Sequence, residues 1–264
     1  MLAAIPFPQI DPIIFEIGPI AIRWYALAYI AGLVLGIWHL RRLSLVKPAF
    51  MKAEDADEFL TWATLGVILG GRLGYILFYK FGFYLENPQY MLYVWQGGMS
   101  FHGGFLGVVV AGILFTRKRG IDPLRFADAL ACAAPIGLFF GRIANFINAE
   151  LVGRASDVPW AMVFPGAGPQ PRHPSQLYEA ALEGVVLFFV VNLLWRNAAF
   201  RNRPGAATGV FIAGYAIARS IVELFRQPDA HLGFLLFGST MGQLLSVPMF
   251  LVGAYLIFRP KPAK

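Results

Sequence analysis

The sequence predicts an all-α integral membrane protein with seven transmembrane helices, its N-terminus extracytoplasmic and its C-terminus cytoplasmic. Three observations lead there. Of the 264 residues, 58% are hydrophobic and 14% charged, against about 45–50% apolar and about 25% charged in soluble domains, which excludes a water-soluble globule. Apolar runs long enough for a bilayer crossing recur at roughly 19–40, 57–80, 99–116, 126–147, 176–196, 206–226 and 237–258. Lys and Arg collect in every second connection: Arg41, Arg42, Lys47 and Lys52; Arg117, Lys118, Arg119 and Arg125; Arg196, Arg201 and Arg203; then Arg259, Lys261 and Lys264. The positive-inside rule makes that side cytoplasmic.

Each element has its own reason. Before the first run, Met1 to Pro19 carries Asp11 and Glu16 and no basic residue, unlike a cleaved signal peptide, so the first helix is expected to stay. Glu54, Asp55, Asp57 and Glu58 read as a solvated start of the second helix, suited to its dipole. Two outer connections, about 81–98 and 148–175, are extracytoplasmic segments of one membrane-embedded domain, 1–264. The longer one is rich in Gly and Pro and reads as an irregular cap. The single Cys132 excludes an internal disulfide and reads as packing. With the basic residues explained by topology, the net charge of +7 implies no nucleic-acid partner.

Arginines at membrane depth cost about 2.5–3.5 kcal/mol each on insertion scales, so Arg72, Arg142 and Arg219 must face partners, water or a ligand. Arg142, Asn145 and Asn148 make one helical row whose fork and amides suit phosphate and glycerol oxygens; the alternative is an Arg142–Glu150 pair closing the helix end. His102 sits among Gly97, Gly98, Gly103 and Gly104, which permit close backbone approach; it is either a catalyst or an interfacial histidine. In Arg172-His173-Pro174-Ser175-Gln176-Leu177-Tyr178-Glu179, Ser175 is a plausible helix N-cap, and Glu179 with Glu183 calls for a cation or one protonated carboxyl. Arg219, Glu223 and Arg226 form a charged stripe, either an ion-pair ladder or an anion site with Arg226 at its mouth. Arg23-Trp24-Tyr25 serves as an aromatic anchor or joins a site. The topology puts the Arg142, His102, His173, Arg226 and Tyr25 clusters at one outer level, which favours a shared site.

The string from Gly141 to Gly153, Gly-Arg-x-x-Asn-Phe-x-Asn-x-Glu-x-x-Gly, resembles the bacterial prolipoprotein diacylglyceryl transferases. Arg23-Trp24-Tyr25, Gly70-Gly71-Arg72, Gly98 to Gly104, His173 to Glu179 and Arg226-Gln227-Pro228-Asp229 are similar to that family's motifs, in order. The resemblance implies a multi-pass enzyme of the bacterial inner membrane, its active site toward the extracytoplasmic side. It implies transfer of the diacylglyceryl group of phosphatidylglycerol to the thiol of a prolipoprotein's lipobox cysteine, with release of glycerol phosphate. The partners implied are phosphatidylglycerol, the prolipoprotein signal peptide and membrane lipids. It marks His102, Arg142, Asn145, Glu150, Gly153, Tyr25 and Arg226 as important.

That chemistry assigns roles to these side chains. A free thiol, with a pKa of about 8.5, is only slightly ionised at pH 7, leaving room for a base, and His102 is the candidate. Arg142 and Arg226 are expected to clamp the phosphate, with Tyr25 beside them in the catalytic group. Asn145 would orient the head group and Glu150 would position Arg142. Asn148, Gly153, His173, Gln176, Tyr178 and Glu223 complete the expected substrate contacts. No cofactor is expected, and no metal-ligand spacing such as His-Glu-x-x-His is present. An anion transporter would also hold membrane arginines, but no inverted repeat is visible. An intramembrane protease would need strings such as Gly-x-Ser-x-Gly, which are missing.

Overall fold

The computed structural model describes residues 5–8, 10–18, 20–228, 233–235 and 238–260. Its helices are α1 (Trp24–Ser44), α2 (Ala53–Tyr79), α3 (Phe81–Glu86), α4 (Phe101–Arg119), α5 (Pro123–Ile147), α6 (Ser175–Glu179), α7 (Leu187–Arg196), α8 (Ala198–Arg201), α9 (Ala206–Val222) and α10 (Met241–Phe258). A wide π-helical stretch, Ala180–Val186, joins α6 to α7 without a break. Every apolar run of the sequence overlaps one of these helices. Among the described residues, five stretches are long and apolar enough to cross a membrane: α1, α2, α5, Ser175–Arg196 and α10. Helix α9 is apolar but shorter. Large apolar side chains such as Leu33, Leu69, Phe189 and Leu251 remain exposed, as they do on helices whose surroundings are lipid.

Short strands accompany the helices. Strands β2 (Ile13–Ile17) and β3 (Ile20–Arg23) form an antiparallel hairpin, and β1 (Ile5–Pro6) pairs in parallel with β4 (Met162–Val163). Residues 20–23 belong to β3, so α1 begins at Trp24, later than the apolar run itself. Gly18, at φ 58°, adopts a conformation favoured in such tight turns.

The chain comprises two compact units, residues 1–39 with 128–264, and residues 40–127. In the second, α2 and α4 meet through glycines spaced by four. A Cβ at Gly70 would lie 2.8 Å from the Gly107 Cα, and one at Gly74 would lie 2.8 Å from the Gly103 Cα. Small residues on both faces let the backbones touch, the usual solution where lipid offers no hydrophobic drive. A side chain at Gly107 would collide with the Gly66 carbonyl, so Gly107→Ala is expected to lower stability by about 2–3 kcal/mol. Gly36→Ala, at a site with open space around it, should leave the thermal midpoint in detergent unchanged. Phe59, Phe115 and Phe126 pack ring against ring beside this seam.

The acidic start of α2 is only partly solvated. Asp55 is buried, accepts the Lys52 amide at 2.8 Å and faces Arg119, which also pairs with Glu58. Arg72 is buried and is satisfied by main-chain carbonyls: those of Met91 at 3.0 Å, Gly97 at 2.6 Å, Gly98 at 3.1 Å and Tyr90. It therefore fixes the aromatic connection after α3, where Gly97 and Gly98 adopt positive φ.

In the first unit, buried polar groups fasten helices to each other. Asp128 of α5 accepts the Gly205 amide at 2.7 Å and the Thr208 amide and hydroxyl at 2.8 Å, so one helix supplies the N-terminal cap of another. Asn192 of α7 donates to the Cys132 carbonyl of α5 and contacts His39 of α1. Gly184 lets the π-helical stretch press on α5, where an added Cβ would meet the Phe139 Cβ at 2.7 Å. That close approach sets the distance across which Arg142 must reach.

Candidate functional site

Arg142, in the last turns of α5, faces the π-helical stretch and divides its guanidinium between two acids. Its Nη1 lies 3.1 Å from Glu179 Oε2, and its Nη2 and Nε lie 3.1 Å and 3.3 Å from Glu183 Oε2. The cation demanded by the two neighbouring glutamates is thus Arg142. Glu179 also accepts Arg219 Nη1 at 2.5 Å and Arg226 Nη1 at 3.0 Å, both on Oε1, and Arg219 pairs in turn with Glu223. The stripe of α9 does form an ion-pair ladder, but it is joined through Glu179 to Arg142. One carboxylate binds three guanidinium groups. Buried pairs of this kind need good geometry to offset desolvation, and Glu179 Oε1 and Glu183 Oε2 supply it through shared, charge-assisted hydrogen bonds.

The layering of this network is its most informative feature. The Glu179 and Glu183 side chains retain 0% of their exposure, whereas Arg142, Arg219 and Arg226 retain 16%, 15% and 10%. The acids are the fully buried part of the network and the arginine side chains its less deeply buried part. The start of α10 presses on the same network: a Cβ at Gly242 would approach the Glu223 carboxyl carbon to 2.7 Å and the Arg219 Nε to 3.1 Å.

Just past α5 the chain turns sharply. Ala149 and Leu151 hold φ of 54° and 55°, a left-handed backbone that non-glycine residues rarely adopt and that concentrates at functional sites. The turn is pinned from α6, where Gln176 donates to the Glu150 carbonyl and Ser175 to that of Leu151 at 3.1 Å. Ser175 is therefore the first helical residue and a brace for the turn; the N-cap position falls to Pro174. The expected Arg142–Glu150 pairing is not formed. The reversal at 149–151 carries Glu150 away from Arg142, and its carboxylate accepts Asn145 and Asn148, each at 3.2 Å. The Tyr25 hydroxyl stands near Tyr29, Asn145 and Glu150.

The cap is more regular than its Gly/Pro content suggests. Gly153 bridges Arg226, and Ala155 and Met162 bridge Arg172, in antiparallel pairings. The Gly153 amide donates to the His173 carbonyl at 3.0 Å, and a Cβ there would lie 2.7 Å from the His173 Cβ and 2.8 Å from the Phe225 carbonyl. Gly153 is thus required by close backbone approach. Arg154 donates to the carbonyls of Arg226 at 2.9 Å and Glu223 at 2.8 Å, satisfying the end of α9. Arg172 donates to the Gly153 and Ala167 carbonyls.

His173 contacts the Tyr178 hydroxyl through Nδ1 at 3.1 Å, Tyr178 accepts Trp160 Nε1 at 2.6 Å, and the His173 ring packs on Phe225. Burial pushes the His173 imidazole below its usual range, which favours the neutral ring at pH 7. A depressed histidine contributes stability that is present above its unfolded value of about 6.5 and lost as pH falls below it. The thermal midpoint should therefore fall between pH 7 and pH 5, and His173→Gln should flatten that dependence.

His102 belongs to the other unit. It is the second residue of α4, exposed, with its ring edge-on to Phe101. Ser100, accepting the Gly103 amide at 3.2 Å, caps that helix. Asp229, the last residue of the motif begun by Arg226, lies outside the described residues.

Among the expected site residues, Arg142, Glu223 and Arg226 meet in one network, while Tyr25, Asn145, Asn148, Glu150 and Gln176 meet around the strained turn. Gly153, His173 and Tyr178 build the cap beside them. Sequence reasoning left Glu179, Glu183, Arg219, Arg154 and Arg172 outside the site. The signal for the first three was available: two like-charged acids spaced by four and a stripe with two arginines each needed opposite charge.

Fold and site define a multi-pass helical membrane protein with a largely buried cluster of arginines and glutamates among its apolar helices. The family model described as prolipoprotein diacylglyceryl transferase matches residues 12–259. The chain is 63% identical to the phosphatidylglycerol–prolipoprotein diacylglyceryl transferase of Paramagnetospirillum magneticum, over 97% of this chain and 96% of that protein. It is 60% identical to the protein of that name from Azospirillum brasilense, over 99% of each, and 57% identical to that of Rhodospirillum rubrum, over 100% of this chain and 97% of the relative. The chain belongs to the prolipoprotein diacylglyceryl transferase family.

Proposed function

We propose that this protein moves the diacylglyceryl group of phosphatidylglycerol onto the thiol of a prolipoprotein's lipobox cysteine, forming a thioether and releasing glycerol phosphate. One observation carries this reading to the residues: Arg142, Arg219 and Arg226 converge on Glu179, and their side chains retain 16%, 15% and 10% of their exposure beside a carboxylate that retains none. Family membership supports the reaction class.

In the proposed step, the thiolate attacks the glyceryl carbon bonded to the phosphate oxygen. The carbon–sulfur bond forms as the carbon–oxygen bond breaks, and the electron pair leaves with glycerol phosphate. His102 takes the thiol proton. Arg142 and Arg226 bind the phosphate and stabilise the charge growing on it, the kind of stabilisation that usually contributes most to catalysis. Asn145 and Asn148, held by Glu150, orient the head group with Tyr25. Glu150 thus positions amides, in place of the role toward Arg142 expected from sequence. His173, Gln176, Tyr178 and Gly153 shape the cap and the turn, and Glu223 holds Arg219.

The same reading includes one catalytic domain over 1–264, seven crossings, an extracytoplasmic N-terminus and a cytoplasmic C-terminus, in the bacterial inner membrane with the site on the outer side. The alternation of basic connections supports that orientation. The deciding experiment supplies purified protein with phosphatidylglycerol and a lipobox peptide. A peptide mass increased by one diacylglyceryl group, with stoichiometric glycerol phosphate, is the expected result; peptide cleavage, or an unchanged mass with lipid intact, overturns it.

A further inference from the structure

We propose that Glu179 is a positioning residue that also competes with the lipid phosphate for the guanidinium groups, so that substrate binds and product leaves by counter-ion exchange; this rests on the reading above. Glu179 is fully buried and is the shared partner of Arg142 from α5, Arg219 from α9 and Arg226 just beyond α9. Among the described residues the network brings Arg142, Arg219 and Arg226 together with Glu179, Glu183 and Glu223, so these arginines already face carboxylates before any substrate arrives.

The carboxylates, moreover, are short of donors. Glu179 Oε2 and Glu183 Oε1 are buried and accept no well-formed hydrogen bond among the described residues, although Arg142 Nη1 lies 3.1 Å from the former. A phosphate arriving at the arginines must therefore draw N–H groups from acids that are already under-supplied. The arginines are aimed, yet their grip is weakened by the buried acids beside them. A strong, uncompensated clamp would hold the more highly charged product, glycerol phosphate, more tightly than the diester substrate; the buried acids draw the guanidinium groups back and speed release.

This role has a sign that scaffolding does not share. If Glu179 only held the arginines in place, Glu179→Gln would scatter them and weaken phosphate binding. Under counter-ion exchange, the same variant leaves a hydrogen-bond acceptor but removes the competing charge, so phosphate binding tightens. Lipidation of a lipobox peptide would be followed in membranes of the parental and E179Q proteins, with glycerol phosphate as inhibitor. The inhibition constant should fall about tenfold or more, the scale of a charge-assisted hydrogen bond gained, while kcat and KM for phosphatidylglycerol fall together. E179D keeps the charge and should keep the parental inhibition constant; equal tightening in E179D overturns the proposal.

Should E179Q fail to accumulate, E183Q strips one of the two acids from Arg142 and leaves Glu179 in place; its inhibition constant should fall by about threefold, a smaller share of the same interaction. An unchanged or raised constant in the variant measured overturns the proposal while lipidation itself stands. If the parental protein forms no lipidated peptide, the functional reading fails, and this inference with it.

Discussion

Arg142→Lys is expected to lower peptide lipidation by about 10²–10³-fold, the usual loss when a preorganised donor to a transition-state charge is removed, although the formal charge is kept. The reason lies in how the side chain is used. Arg142 spends Nη1 on Glu179 and both Nη2 and Nε on Glu183, an arrangement that only a planar fork supplies. A lysine ammonium is a single point of charge. It would settle between the two buried carboxylates, because these are closest and driest, and would leave nothing directed at the phosphate. Protein level and thermal midpoint in detergent serve as controls, since the lysine still neutralises the pair. A rate within about threefold of the parental value, at the low end of what one hydrogen bond contributes, would assign Arg142 to helix packing alone.

How far the site could be read in advance depends on which physical feature carries each part. The helices were legible because about 20 apolar residues in a row have few other uses, and basic connections marked their ends. Strand β3 was hidden inside the first apolar run and β2 lay just ahead of it, since Ile-rich segments satisfy both periodicities over so short a length. The arginines were legible as costly groups in need of partners, but the partners were not. Pairing Arg142 with Glu150 assumed that the chain runs on past α5, whereas Ala149 and Leu151 reverse it through left-handed backbone that only glycine would have announced. The π-helical stretch is equally silent in sequence: Glu179 and Glu183 sit four apart as on any helix, and only the close approach of Gly184 to α5 brings both within reach of one guanidinium. Gly153 was expected as a substrate contact, whereas the structure shows why a glycine stands there, in its close approach to His173 and the Phe225 carbonyl.

His102→Gln is expected to reduce thioether formation by about 10²–10⁴-fold, the range contributed by a positioned general base, while the protein accumulates and unfolds as the parental form does. The structural half of that expectation follows from its surroundings. His102 is exposed, and among the described residues its side chain makes no hydrogen bond; the start of α4 is capped by Ser100 and its packing rests on Gly103 and Gly107. Glutamine occupies similar space and keeps an amide for hydrogen bonding, so the change removes proton affinity and little else. The chemical half rests on the thiol, which at neutral pH must lose a proton before sulfur becomes a competent nucleophile. Raising the pH supplies thiolate from solution, so the deficit of H102Q relative to the parental enzyme should shrink between pH 7 and pH 9. A variant with parental turnover and an unaltered pH profile would exclude His102 as the base and turn attention to Glu150, an exposed carboxylate whose described partners are the amides of Asn145 and Asn148 rather than any guanidinium.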